Sequence, residues 1–393
     1  MHGHPCQIAR RNFLKAAAGT AALGMGLGSP LGIALAEEKK ANGPASADVG
    51  IGRGSNMEEA VKRAVKLAGG LDFIKAEQTV LIKPNVTGAL KSPTTTNPEV
   101  LYAVIKLVAE RGPKRIIVAD RSFSPQFVTT TPKTIDVMKA VGHIEAVDQA
   151  KSDVKAPVVA VGLEDAYGEL QLLGRPEEAP LWRRIKPANA THWPNGFVLA
   201  ELLFAVDHVI NVPVIKTHFQ AWFTMSMKAF VGMSHHKTRM EFHRTYVGDG
   251  VSLGDQKRTS TRRRGVKKDI EQEAKEVAPF VNRLAELNLG LKPAMNIMDG
   301  SKCFVFGGPS NGDTAEPKVV VASTDRIAAD ATGVAVLKAQ GTEDRLQKRS
   351  VWETPFLKHG IKVGLGIDSV SKLNLKAEGV PDADLDTIKK MLV

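Results

Sequence analysis

The chain has 393 residues, 53 Lys and Arg against 42 Asp and Glu, and a formal net charge of +11 at pH 7. That length excludes a small module and suits one large domain or two ordinary ones, and the charge favours anionic ligands. With only two cysteines, neither a disulfide framework nor a cysteine-ligated iron–sulfur cluster is expected.

The first feature along the chain is Arg10-Arg11-Asn12-Phe13-Leu14-Lys15, followed by a Gly- and Ala-rich apolar stretch from Ala16 to Leu35 and small residues at Ala34-Leu35-Ala36. These are the charged, apolar and cleavage regions of a secretory signal. The arginine pair with its trailing Phe-Leu-Lys points to the twin-arginine (Tat) export route, although Ala9 stands where Ser or Thr more often precedes the arginines. The reading is a signal peptide over residues 1–36, the Tat machinery as partner, and an exported or periplasmic mature protein. An uncut membrane anchor is the alternative, but the stretch is barely long enough to span. Cleavage would remove Cys6 together with three basic residues and no acid, so the charge falls from +11 to +8. No later segment is long and apolar enough to cross a membrane, so no membrane contact is expected after cleavage.

Residues 37–50, charged and then rich in Gly, Pro, Ala and Ser, read as a linker to a single domain over 51–393. Short apolar runs then alternate with helical periodicity. Thr79–Ile82, Arg115–Ala119, Val158–Val161, His208–Val212, Met295–Met298 and Lys318–Ala322 read as strands. Helices are expected at Pro98–Glu110, from Thr131-Pro132 to Gly142, at Phe197–Phe204 and at Ile327–Lys338. Continuous apolar strands alternating with helices predict a doubly wound α/β fold whose mostly parallel sheet is covered on both faces. Residues 162–195 and 234–268 interrupt the pattern as loop or cap insertions. The second holds a basic run, Lys257-Arg258, Arg262-Arg263-Arg264 and Lys267-Lys268, which reads as a solvated loop leading into a helix at Asp269 rather than as a nucleic-acid arm.

In open parallel sheets ligands bind beyond the carboxyl ends of the strands. The segments following the strands carry Lys83-Pro84-Asn85, Asp120-Arg121-Ser122, Lys216-Thr217-His218, Asp299-Gly300-Ser301-Lys302 and Ser323-Thr324-Asp325. Five strands thus promise a polar crevice along one edge, although Asp325 equally suits a helix cap. The loop Phe306–Asp313, with Gly307 and Gly308, is either an anion cradle of backbone amides or a tight turn between strands. It lacks the lysine of a P-loop and any G-x-G-x-x-G spacing. His236, Met240 and His243 fall on one helical face, and with His235 and His218 they form a candidate metal environment; a solvated loop is the alternative.

These segments, read together, resemble a widespread prokaryotic family, the domain-of-unknown-function family 362. The resemblance rests on Leu81-Ile82-Lys83-Pro84-Asn85, Asn97-Pro98-Glu99, Ile210 to His218, Met227-Lys228-Ala229-Phe230-Val231-Gly232, Ile297-Met298-Asp299-Gly300, Gly307-Gly308-Pro309 and Ser323 to Asp330. It covers most of the chain from about Val80 to Gly341. It implies motif positions at Lys83, Asn85, Lys216, His218, Lys228, Asp299, Asp325 and Asp330, with Lys228 and Asp330 inside helices. Many members carry a ferredoxin-like cysteine segment that this chain lacks, and Ala229 stands where the family often has Asn.

Two functional classes follow. One is an exported enzyme acting on a small anionic substrate, with or without a His- and carboxylate-bound metal. There Lys83 and Lys216 hold the anion, His218 exchanges protons, and Asp299 and Asp120 orient it or ligate the metal. The other is a non-catalytic exported protein that binds a metal or assists a redox complex. Any metal is expected on His218 with at least one of His235, His236 and His243.

Overall fold

The computed structural model describes residues 44–123, 132–154, 158–246 and 269–393. The signal segment, the first half of the expected linker and the basic run lie outside them. In chain order the strands are β1 (Ala47–Gly52), β2 (Thr79–Pro84), β3 (Arg115–Asp120), β4 (Val158–Gly162), β5 (Trp182–Ile185), β6 (Phe197–Ala200), β7 (His208–Val212), β8 (Lys216–His218), β9 (Trp222–Thr224), β10 (Met295–Gly300), β11 (Cys303–Gly307), β12 (Gly312–Ala315), β13 (Val319–Ser323) and β14 (Leu373–Glu378).

Eight of these strands form one sheet in the order β14-β1-β13-β10-β7-β2-β3-β4. β2, β3, β4, β7 and β10 pair in parallel, as do β1 and β14, while β13 runs antiparallel to both β10 and β1. The apolar runs read as strands because they are buried on both faces. Leu81, Ile117 and Ala119 pack into one layer, and Val80, Ile82, Ile116 and Val118 into the other. The helices Met57–Leu67, Pro98–Ala109 and His143–Asp153 cover the second face, and Ile270–Leu287 and Arg326–Ala339 the first. Helix starts follow ordinary capping: the Asn97 carboxamide accepts from the Glu99 amide at 3.0 Å, with Pro98 in the first turn.

Three expectations are corrected. The linker expected to run to residue 50 gives way at Ala47 to β1, which pairs with β13 and β14. Phe197–Phe204 is not a helix: its first half is β6, hairpin partner of β5, and Glu201–Phe204 is a single 3-10 turn. An eight-residue apolar run carries too little periodicity to separate the two states. Finally, β13 is antiparallel, so its carboxyl end lies at the amino edge of the parallel strands, where Ser323 pairs with Val49 and Asn296.

Candidate functional site: a basic cleft at the carboxyl edge

A cleft of about 660 Å³ opens beyond the carboxyl ends of β2 and β3, roofed by the turn between β11 and β12 and walled by the helix His236–Tyr246. Of the residues expected there, Asn85, Asp120, His218, Lys228, His243, Gly307 and Gly308 line it. Lys83, Lys216 and Asp299 reach the same edge but lie beneath the cleft surface, each with no exposed area. Asp325 and Asp330 lie elsewhere, and His235 and His236 are not in the lining.

The buried groups already have partners. Lys83 Nζ donates to the Pro84 carbonyl at 2.7 Å and meets Asp120 Oδ2 at 3.1 Å. Burial lowers the lysine pKa and raises that of the carboxyl, each partly offset by the other's charge. Lys216 Nζ donates to the carbonyls of Thr94 and Pro309 at 2.5 and 3.2 Å, and burial carries its pKa well down. Asp299 accepts from the Asn97 amide at 2.8 Å and from the Ser301 hydroxyl at 2.6 Å. Lys216 and Asp299 therefore fasten the segments that shape the cleft, and neither lysine expected to hold an anion faces it.

The lysine that does face it is Lys228, in the short helix Ser226–Ala229. It has no hydrogen bond or ion pair with a described residue, and burial, with the Arg239 charge, lowers its pKa to about 7. Arg121 also lines the cleft, its guanidinium 5.2 Å from the Trp182 ring centre and its buried Nε without a hydrogen-bond partner. Arg239, 1% exposed, donates to the carbonyls of Ser122, Arg121, Gly232 and Ser234 and meets no carboxylate there. Among the described residues three cationic side chains thus line the cleft, and the one lining carboxylate, Asp120, is already paired with Lys83. The second oxygen of Asp120, Oδ1, is buried and unpartnered.

His218 has a defined tautomer. The amides of Gln220 and Ala221 both donate to Nδ1 at 3.1 Å, which leaves the ring proton on Nε2. Burial and the charges of Lys228 and Lys216 carry its pKa well below the ordinary value, so the ring is neutral. A metal would need the Nε2 lone pair, so the expectation that His218 is a ligand is corrected: it is a donor into the cleft. The turn that aims the two amides requires Trp222 at φ +71°, left-handed backbone costing a non-glycine residue about 1–2 kcal/mol. Arg345 holds that turn by donating to the carbonyls of His218 and Phe219, and is itself paired with Glu343 and Glu273.

At Gly307, Gly308 and Asp325 the structure takes the alternatives already stated, a tight turn and a helix cap, and at Asp330 and the histidines it departs from the expected roles. Gly307 and Gly308 do line the cleft, but the Gly307 amide donates to Glu343 and the Gly308 amide to the Asn311 carbonyl, so neither is available to an anion. Gly308 instead permits close packing, since a Cβ there would stand 2.1 Å from the Thr217 carbonyl oxygen. Asp325 is a helix cap at the opposite edge, accepting from the amides of Ala328 and Ile367 at 2.8 and 2.9 Å. Asp330 caps another helix, accepting from Ser226 and Met227, and burial raises its pKa to about 7. His235 contacts His236 and Trp182, while His243 faces the cleft with an unpartnered Nδ1 and a pKa lowered by burial to about 3. The histidines of this segment therefore do not converge. Among the described residues a His/Glu/His triad able to hold a metal stands elsewhere, at His192, Glu286 and His359.

Sequence reasoning missed Arg239, Arg345 and the weight of Arg121. The signal was slight: Arg239 is one of many basic residues in a polar segment, and Arg345 lies over 120 residues from the turn it holds.

The sequence profile of the family described as Domain of unknown function (DUF362) matches residues 80–335. A curated relative, thylakoid-associated protein sll1697 from Synechocystis sp., is 25% identical over 268 residues, which are 67% of this chain and 64% of that protein. The chain thus spans less than two thirds of that relative's length. A solved structure, the lactate racemase apoprotein from Thermoanaerobacterium thermosaccharolyticum, aligns with 86% of this chain and 85% of its own at 11% identity and a TM-score of 0.38.

Proposed function

The chain belongs to the DUF362 family, and within it we propose an exported enzyme that performs acid–base chemistry on a small anionic substrate in the basic cleft. The observation that carries this is the charge of the lining: Arg121 and Lys228 face the cleft with no carboxylate partner among the described residues. An anion entering would neutralise them where water is partly excluded and electrostatic interactions are strong. The cleft is also partly apolar, with Val86, Phe219, Val231 and Phe242 among its walls. Its volume of about 660 Å³ falls within the range for small-molecule sites. The substrate class is therefore a carboxylate or phosphate on a compact apolar body.

In this reading Lys228, with a pKa of about 7, exchanges a proton with the substrate near neutral pH. His218 donates from Nε2 to an oxygen on which charge develops, its proton fixed in place by the two amides on Nδ1. Export through the Tat route rests on Arg10-Arg11 and the apolar stretch that follows. The thylakoid association in the relative's name fits a protein that leaves the cytoplasm. The test is to incubate the purified protein with mixed small carboxylates and phosphate esters and follow them by mass spectrometry, with Lys228→Gln as control. Turnover or proton exchange by the wild type alone supports the enzyme. Binding without either supports an exported binding protein instead.

A further inference from the structure

We propose that His192, Glu286 and His359 form a zinc-class metal site, separate from the cleft, that ties the loop between β5 and β6 to two helices. None of the three lines the cleft. Glu286 ends the helix Ile270–Leu287, His359 lies in the helix Pro355–Lys362, and His192 sits on the loop. Their ligand atoms all lie within 4.8 Å of one another. His192 Nδ1 is 2.6 Å and His359 Nε2 3.1 Å from the same oxygen, Glu286 Oε1.

Two imidazole nitrogens and one carboxylate oxygen are a ligand set that suits zinc and other borderline divalent ions. Glu286 has no exposed side-chain area, while His192 is 33% exposed, so three protein ligands would leave a fourth position towards solvent. The surroundings are those of a supported site. Glu286 Oε2 accepts from the His192 amide at 2.8 Å, and Asn282 meets His192 Nε2 at 3.2 Å, fixing the ring from its far side. Ligands about 2.0–2.2 Å from a tetrahedral ion stand roughly 3.3 Å apart, so His192 must move outward by less than an ångström when the ion displaces the protons now shared with Glu286. Its place on a surface loop allows that shift. The hydrogen-bonded triad is the ion-free form of the same cluster.

The test is calorimetric titration of chelator-treated, untagged protein with zinc, alongside thermal melting with and without the ion. One zinc per chain is expected, with a raised melting temperature and protons released on binding. His192→Ala, at the partly exposed ligand, should weaken zinc at least tenfold and abolish the zinc-dependent rise, with ion-free melting little changed. His359→Ala should likewise weaken zinc and abolish the zinc-dependent rise, while loss of this buried partner of Glu286 lowers its ion-free melting as well. The His235→Ala/His236→Ala double variant should keep the site. Failure of the wild type to take up zinc, or uptake unchanged in His192→Ala and His359→Ala, overturns the proposal. So does loss of the site in the double variant alone.

Discussion

Lys83 and Asp120 form a buried ion pair, 3.1 Å between Nζ and Oδ2, and Gly232 packs against it so closely that a Cβ there would stand 1.9 Å from Asp120 Oδ1 and 3.0 Å from Lys83 Nζ. β2 and β3 deliver the two charges side by side, and the turn after the Lys228 helix closes over them. Oδ2 of the same carboxylate is held by Lys83 Nζ and by the Val86 amide at 2.8 Å, so the side chain has little room to yield. Gly232→Ala is therefore expected to push Asp120 aside and cut ligand affinity about tenfold or more, with a stability loss of about 1–3 kcal/mol from overpacking. Isothermal titration and urea unfolding of the variant check both effects.

The same pair makes a second expectation. Removing one partner leaves a buried charge without compensation and costs about 3–5 kcal/mol, whereas removing both is much milder. Lys83→Met and Asp120→Asn should each destabilise strongly, and the double variant should recover a large share of the loss. A double-mutant cycle by urea unfolding measures the coupling; additive losses would mean the pair does not act as a unit.

His218 is neutral over the whole physiological range, because burial and nearby cations hold its pKa far below the ordinary value. The pH profile of any activity should accordingly show no limb from this residue near pH 6.5. His218→Ala should lower turnover by about two to three powers of ten, the usual effect of removing one donor to a developing charge. Arg345→Met, which loosens the turn without entering the cleft, should have a smaller effect on turnover in the same direction, together with a loss of stability because Glu343 and Glu273 lose their buried cation.

The architecture was legible because the sheet strands are continuous apolar runs, and the carboxyl-edge rule then located the cleft from Asn85, Asp120 and His218. What the sequence could not convey was direction and depth. β13 reads like its neighbours but runs the other way, and this moves Asp325 to the far edge. Lys83, Lys216 and Lys228 look alike as letters, yet the first two are engaged beneath the cleft surface and only the third faces the cavity. The metal expectation followed histidines that are neighbours in sequence, while the convergent triad joins residues from 192 to 359.

Export is tested by replacing Arg10-Arg11 with Lys-Lys. The Tat machinery reads the arginine pair, so the double variant should remain in the cytoplasm, as shown by fractionation. Export at the normal level would remove the assignment.

The central claim is that the Lys228 amine receives an anion in the cleft. A lysine with a pKa of about 7 in the free protein is mostly charged at pH 6 and mostly neutral at pH 8. The folded value lies below the ordinary 10.5, so the charge that attracts the anion is present below the folded pKa and lost as pH rises through it. The direct measurement is the dissociation constant of small monocarboxylates, whose own charge is constant above pH 6, for wild type, Lys228→Gln and Lys228→Arg. The constant should rise about tenfold from pH 6 to pH 8 in the wild type. Lys228→Gln should bind weakly at both pH values, and Lys228→Arg should bind with little pH dependence. Wild-type binding that ignores pH and survives Lys228→Gln unchanged would contradict the account.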